Sequence, residues 1–271
     1  MPESSTVATL VFHGSRALSK YVGAEQYCVD LDLRALCIFF EKVMADATRG
    51  GRKAPFGSPL GVAPGGVVAY SSHYASADAK QYPDRGSFHA YHESGVWTGH
   101  KYQCVEFARR WLVHTHGITF GSIGMAYTIF DLPAFAKATD PREGVPVRKA
   151  ENGNPRHHRP VRGTVLLWHP TGFFSRTGHV AIVTEATDRY VRVAEQNVTD
   201  RPWNEGCDFA RELPVVMTAE GGFHVVETYA RSAVLGWVTP EVFLAQKVAK
   251  HSHSQATLMP SRRVLVEGVD F

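Results

Sequence analysis

The second half of the chain carries short apolar runs with the alternation of β-strands. Residues 178–197, GHVAIVTEATDRYVRVAEQN, read as two strands joined by a polar turn at 186–189. In such a hairpin His179 lies opposite Glu195, at one end of an apolar face. That face is formed by Ala181, Val183, Val191 and Val193. A histidine and a carboxylate that meet on a core face are either a structural pair or part of a reactive site.

The pattern before this hairpin has the period of a helix. In residues 102–117, YQCVEFARRWLVHTHG, an apolar stripe runs along one side, and Gly117 is a natural helix end. Further strands are predicted at 67–70, 164–168, 212–217, 223–228 and 235–238, and a short helix at 128–137. Helices first and an antiparallel sheet afterwards predict an α+β fold, with Cys104 at the N-terminus of a helix.

Composition divides the chain into three segments. Residues 1–53 are an N-terminal extension, with a helix predicted at 30–47, and residues 54–240 are the main domain. Residues 241–271 predict a C-terminal helix followed by an extended tail. The whole chain is 44% hydrophobic and 20% charged, which is typical of a globular protein.

Charge and hydropathy exclude several classes of partner. A formal net charge of +3 is too small to indicate nucleic-acid binding, and no apolar run approaches the roughly 20 residues of a membrane span. The start of the chain lacks the features of a secretion signal, so we expect a soluble, cytoplasmic protein. The basic stretch 142–162 predicts a solvated loop, with attraction of an anionic substrate as the alternative. The 4 cysteines are widely spaced, which indicates neither a disulfide framework nor a metal site.

Cys104 is the candidate nucleophile. At the start of a helix the macrodipole and the unpaired backbone N–H groups favour a thiolate. With His179 as general base and Glu195 as the carboxylate that orients the imidazole, these residues form a catalytic triad pattern. Most cysteines are buried and inert, so spacing alone leaves a structural interpretation open.

Three further residues are weaker candidates around this triad. The backbone N–H of Cys104 is the first candidate donor to an oxyanion, and the side chains of Gln103 and Tyr82 are alternatives. Asn197, two residues after the triad glutamate, is a candidate to share the orientation of the imidazole.

Two stretches of the chain resemble a known family. GHKYQCVEFARRW and GTVLLWHPTGFFSRTGHVAIVTEATDRYVRVAEQN resemble the CHAP family of cysteine, histidine-dependent amidohydrolases and peptidases. Within this family the resemblance, over about residues 54–238, is to the amidase domains of glutathionylspermidine and trypanothione synthetase/amidases. It implies a papain-like fold with Cys104, His179 and Glu195 as catalytic residues. It also places Arg109 near the substrate, with a helix-surface arginine paired to an acid as the alternative.

The resemblance implies a reaction and leaves alternatives open. The expected activity is hydrolysis of the amide between the glutathione glycine and a polyamine, through an acyl-enzyme and without a cofactor. Because the chain ends at Phe271, we expect no synthetase activity and no need for ATP or magnesium. One alternative is a CHAP peptidase that cleaves a peptide or a peptidoglycan cross-link. The other is a binding module in which the terminal extensions cover Cys104; the oligomeric state stays open.

Overall fold

The computed structural model describes residues 52–245, which form three sheets, one 13-residue α-helix and several short helical segments. The predicted helix at 30–47 and the C-terminal segment beyond residue 245 lie outside the described residues. The helix is α1 (Cys104–His116), and residues 241–245 are also helical. The strands are β1 (Pro59–Ala63), β2 (Val67–Tyr70), β3 (His89–Tyr91), β4 (Trp97–His100), β5 (Ile118–Thr119), β6 (Ala134–Lys137), β7 (Gly144–Glu151), β8 (Val165–Trp168), β9 (His179–Ala186), β10 (Tyr190–Ala194), β11 (Arg211–Met217), β12 (Phe223–Val225) and β13 (Val234–Pro240).

Helix α1 begins at Cys104 and ends at the predicted glycine. Gly117 has a φ of 61°, and its N–H donates to the carbonyls of Leu112 and Val113. This left-handed cap satisfies carbonyls that the last turn leaves without helical donors. The buried side of α1 includes Phe107 and Trp111, and the helix packs against β9. This packing places Cys104, the first residue of α1, on the sheet whose strand β9 begins at His179.

The main sheet has nine strands in the order β12-β11-β10-β9-β8-β13-β7-β6-β5, and its neighbouring strands run antiparallel. The other two sheets of the described residues are the hairpins β1-β2 and β3-β4. The last strand along the chain, β13, lies between β8 and β7 in the interior of the sheet. A mostly antiparallel sheet with few helices agrees with the predicted α+β class.

Both faces of the central strands are covered, which explains their continuous apolar runs. One face joins α1 in an apolar cluster with Val165, Leu167, Val180 and Ile182. The other face forms a second cluster with Leu166, Trp168, Ala181 and Val183. Full burial of a side chain of this size stabilises the fold by about 1.5–3 kcal/mol, so the two faces hold β8 and β9 firmly in place.

The register of the β9–β10 hairpin differs from the predicted one. Val191 pairs with Ala186, and after a bulge Val193 pairs with Val183. Strand β10 ends at Ala194, so His179 and Glu195 are not ladder partners, and that part of the prediction was wrong. The bulge adds a residue to one strand, a feature that local sequence patterns do not reveal. The four apolar side chains of the predicted face nevertheless lie together in the second cluster.

Two other sequence predictions were wrong in part. Residues 128–137 are not a short helix, because a 3-10 helix (Ala126–Asp131) is followed by β6. Pro133 separates them and restricts Leu132 to an extended conformation, with a ψ of 131°. The basic stretch 142–162 is not a continuous loop, since it contains the strand β7.

Candidate active site

The thiol of Cys104 lies at the junction between α1 and the sheet. The residue is 8% exposed, and the residue before it, Gln103, caps the helix in an extended conformation. The Gln103 side chain makes no cap to the helix. The N–H of Cys104 belongs to the first turn, where backbone donors have no helical acceptor. The sulfur is therefore set beside donors that suit a negative charge.

His179, the first residue of β9, links this thiol to a carboxylate. Its Nε2 lies 2.8 Å from Oε2 of Glu195, and Cys104 is the other neighbour whose interaction raises the pKa of the imidazole. Because Nε2 is engaged by the carboxylate, Nδ1 is the ring nitrogen available to the thiol. Burial opposes the imidazolium charge, but the hydrogen bonds and charges of Cys104 and Glu195 outweigh it and raise the pKa of His179 to about 9. The arrangement therefore favours a protonated histidine beside the Glu195 carboxylate.

Aromatic rings and a glycine fix the position of this imidazole. The ring of Phe174 stacks on His179 at 4.6 Å and 10°, and the ring of Trp168 lies at 5.1 Å. The preceding residue, Gly178, has a φ of +64°, and a Cβ there would lie 2.6 Å from the carbonyl oxygen of Trp168. Only glycine fits this backbone conformation without strain. The imidazole is thus held at 1% exposure, away from bulk water.

Arg211 is a site residue that the sequence analysis missed. Its Nε lies 2.5 Å from Oε1 of Glu195, and its Nη2 lies 3.2 Å from Oε2. Burial would raise the pKa of Glu195, but the charge of Arg211 and the hydrogen bond from His179 outweigh it and lower this pKa to about 2. Arg211 comes from β11, whose pairing with β10 brings it beside the end of that strand. A lone arginine at the start of a predicted strand was the available signal.

Gln196 ties the segment that carries Glu195 to the start of α1. Its Nε2 donates to the carbonyl of Gln103 at 3.1 Å and to Oε2 of Glu106 at 2.7 Å. Its Oε1 accepts the N–H of Tyr70 at 3.0 Å. Gln196 and Glu106 are each 1% exposed, so these bonds lie in a water-poor environment. The carboxylate and the nucleophile are therefore connected through one buried side chain, which the sequence analysis also missed.

Arg109 is buried in α1, where its guanidinium binds backbone carbonyls. Its guanidinium donates to the carbonyls of Thr98 at 2.6 Å, Gly121 at 3.0 Å and Phe120 at 3.1 Å. It also lies over the rings of Trp97 and Phe120, at 5.1 and 4.5 Å from their centroids. Neither sequence interpretation described this arrangement, in which the arginine joins α1 to β4 and to the chain after β5.

Asn197 and Tyr82, two further candidates from the sequence, contact residues outside the Cys104–His179–Glu195 triad. Asn197 is exposed with a φ of 63°, outside β10, and its Oδ1 accepts the Ser72 hydroxyl at 2.7 Å. This contact engages the side chain away from the imidazole, so its predicted share in orienting His179 is not what the geometry favours. Tyr82 is half-buried and packs its ring against Phe88 at 4.8 Å.

Metal binding and membrane insertion can be considered for residues 52–245. No group of three or more His, Cys, Asp or Glu side chains there is arranged to hold a metal ion. No helix in this part of the chain is long and apolar enough to cross a membrane.

Comparison with known proteins bears on the same residues. Residues 95–197, which contain Cys104, His179 and Glu195, match the CHAP domain family. The chain is 43% identical over 185 residues to the bifunctional glutathionylspermidine synthetase/amidase of Escherichia coli strain K12, a match that covers 68% of this chain and 29% of that protein. It is 32% identical over 205 residues to the trypanothione synthetase of Crithidia fasciculata, covering 73% of this chain and 28% of that protein.

Residues 95–197, which contain the candidate site, are thus similar to CHAP domains. More closely, the chain is similar to part of glutathionylspermidine synthetase/amidase and of trypanothione synthetase, which confirms the resemblance inferred from the two motifs. The chain spans less than a third of the length of these curated relatives. The activities in their names are therefore considered for this chain only as a proposal.

Proposed function

We propose that this protein is a thiol amidase that cleaves the amide between the glutathione glycine and a polyamine. The proposal rests on one observation, the buried 2.8 Å contact of His179 with Glu195, together with the interaction of the same imidazole with Cys104 that raises its pKa. The similarity to glutathionylspermidine synthetase/amidase supports the choice of substrate. A papain-like arrangement, with the nucleophile on a helix and the histidine on an antiparallel sheet, is part of the same proposal.

In the first half of the proposed reaction, the Cys104 thiolate attacks the glycyl carbonyl carbon. The N–H of Cys104 donates to the oxyanion that forms, and Gln103 is a candidate for a second donor. The tetrahedral intermediate collapses by breaking the C–N bond. The leaving amine takes the proton of the His179 imidazolium, which leaves a neutral imidazole and a thioester.

In the second half, water completes the hydrolysis. Neutral His179 takes a proton from a water molecule, which attacks the thioester carbonyl and releases glutathione with regeneration of the thiolate–imidazolium pair. Glu195 accepts the Nε2–H throughout, so it holds the ring with Nδ1 toward the sulfur. The raised pKa of His179, about 9, keeps the proton available for the leaving amine at neutral pH.

The direct test is release of glutathione from glutathionylspermidine by the purified chain. We expect release by the native protein and by Cys207→Ala, which removes the other free thiol of the described residues, and none by Cys104→Ala. Equal release by Cys104→Ala, or no release by the native protein, would contradict the proposal. A parallel incubation with peptidoglycan and with a peptide tests the alternative peptidase activity, which predicts cleavage there instead.

Accessibility of the thiol separates an enzyme from a binding module with a covered site. We expect iodoacetamide to alkylate Cys104 rapidly near neutral pH, as detected by mass spectrometry of the peptide that contains it. Resistance of Cys104 to alkylation in the folded protein would favour the binding module.

A further inference from the structure

We propose that Arg211 is a positioning residue that keeps Glu195 ionised, so that the proton of the reaction stays on His179. This inference rests on the proposed thiol chemistry and extends it to a residue outside the triad. It concerns the side of the carboxylate that faces away from the imidazole. There a second cation and a second carboxylate continue the series beyond Glu195.

Arg211 binds both oxygens of the triad carboxylate. Its Nε lies 2.5 Å from Oε1 of Glu195, and its Nη2 lies 3.2 Å from Oε2, the oxygen that also contacts His179 at 2.8 Å. Such a two-point contact sets the plane of a carboxylate as well as its charge. The oxygen that accepts the imidazole N–H is thereby fixed in direction.

A further carboxylate holds Arg211 in this position. Glu227 accepts from Nη1 of Arg211 at 2.9 and 3.2 Å through its two oxygens. It also accepts the N–H groups of Thr228 at 2.6 Å and Tyr229 at 2.8 Å, and the indole Nε1 of Trp168. The Glu227 side chain is 1% exposed, and backbone donors fix it. The charge of the guanidinium is therefore balanced on both sides.

Aromatic rings exclude water from this series. The guanidinium carbon of Arg211 lies 4.8, 5.5 and 5.9 Å from the ring centroids of Tyr229, Trp168 and Phe174. Trp168 and Phe174 also contact the ring of His179. Electrostatic interactions are stronger in such surroundings than in water.

This geometry has a consequence for the location of the proton. In a buried pair of an imidazolium and a carboxylate, transfer of the proton to the carboxylate would leave two neutral groups and remove the cost of burying charge. The fixed cation Arg211 opposes this transfer, because it stabilises only the ionised form of Glu195. The imidazolium then retains the proton that the leaving amine needs.

The charged and titratable groups around Glu195 come from several elements. His179 faces it from β9, with Cys104 of α1 behind the imidazole, and Arg211 faces it from β11. Glu227 and Tyr229 face Arg211 from the far side. A pH profile of the thiol reports on this whole series, so single substitutions are needed to assign the effect.

The test measures the rate of Cys104 alkylation by iodoacetamide across acid to neutral pH in full-length variants. In Arg211→Gln, Glu195 takes up a proton more readily and the imidazolium loses its anionic partner. The acid limb, which is the fall in alkylation rate on the acid side of the profile, therefore moves to higher pH by about one unit. Arg211→Lys keeps the charge and is expected to restore most of the limb position. Arg192→Gln is the matched control, since Arg192 pairs with Glu185 and Glu212 in partly exposed surroundings, and it leaves the profile unchanged.

Hydrolysis kinetics provide a second readout. Since Arg211 acts through Glu195, its replacement by glutamine is expected to lower kcat by about ten- to hundredfold with little change in KM. A profile of Arg211→Gln that superimposes on the native one would overturn the proposal. If Arg211→Gln does not fold, Arg211→Met replaces it, because methionine keeps an unbranched side chain and removes the charge. The alkylation profile is again expected to move to higher pH, and an unchanged profile would overturn the proposal.

Alkylation requires no substrate, so the two proposals fail separately. A native protein that is alkylated with the expected pH dependence but releases no glutathione contradicts the proposed substrate alone. The alkylation profiles of the Arg211 variants still decide the role of this residue.

Discussion

Replacement of Gln196 by leucine tests whether one buried amide couples the carboxylate segment to α1. The change removes the donor to Glu106 at 2.7 Å and the acceptor of the Tyr70 N–H at 3.0 Å. Each buried polar group left without its partner costs about 1–3 kcal/mol. Leucine adds apolar burial that offsets about 1 kcal/mol. We therefore expect Gln196→Leu to lower the free energy of unfolding by about 2–4 kcal/mol.

Urea denaturation measures this loss as a lower midpoint at an unchanged m-value. The adjacent Asn197→Gly is the matched control, because it removes one hydrogen bond from the Ser72 hydroxyl, which keeps Asp200 as an acceptor, and retains the left-handed backbone at that position. We expect the control to change stability by no more than about 0.5 kcal/mol. A Gln196→Leu protein as stable as Asn197→Gly would refute the coupling role of this amide.

Three further outcomes follow from the site. Because the pKa of Glu195 is lowered to about 2, its contribution to stability is complete above about pH 4.5 and is lost as the pH falls towards 2. Because the pKa of His179 is raised to about 9, its contribution to stability is complete below about pH 6.5 and is lost as the pH rises through 9. Urea midpoints are therefore expected to be highest between these limits, and a midpoint that is constant from acid to alkaline pH would contradict this. Arg109→Lys is expected to lower the free energy of unfolding by about 2–4 kcal/mol without a change in KM, because an ammonium cannot reach three carbonyls. A raised KM at native stability would instead indicate that Arg109 binds the substrate. Gly178→Ala is expected to lower both the melting temperature and the activity, while Gly124→Ala, with open space around its Cβ, changes neither; equal effects of the two would argue against the tight backbone before the imidazole.

Local periodicity was sufficient for the elements whose burial follows one simple pattern. The apolar stripe and Gly117 predicted α1, and short apolar runs predicted β2 and β8 to within a residue. The polar strand β7 was predicted as loop, since its lysine and arginine side chains hide the buried positions between them. Tertiary pairing, and not intrinsic preference, makes those residues a strand.

The site could be predicted from the sequence only in part, because several of its residues are brought together by tertiary pairing. A hairpin pattern placed His179 near Glu195, and the two side chains do meet, although a bulge changes the register between their strands. Arg211, Glu227 and Gln196 reach the site through pairings across the sheet and onto α1. Such contacts depend on which strands are neighbours, which residue spacing does not specify.

The most direct measurement of the central claim is intact-mass spectrometry of the protein during turnover of glutathionylspermidine. If the Cys104 thiolate attacks the glycyl carbonyl, rapid acid quenching traps a species heavier than the protein by one glutathione less one water. Digestion then places that increase on the peptide containing Cys104, and Cys104→Ala shows no increase. Release of glutathione with no adduct in the native protein, together with unchanged release by Cys104→Ala, would contradict the account.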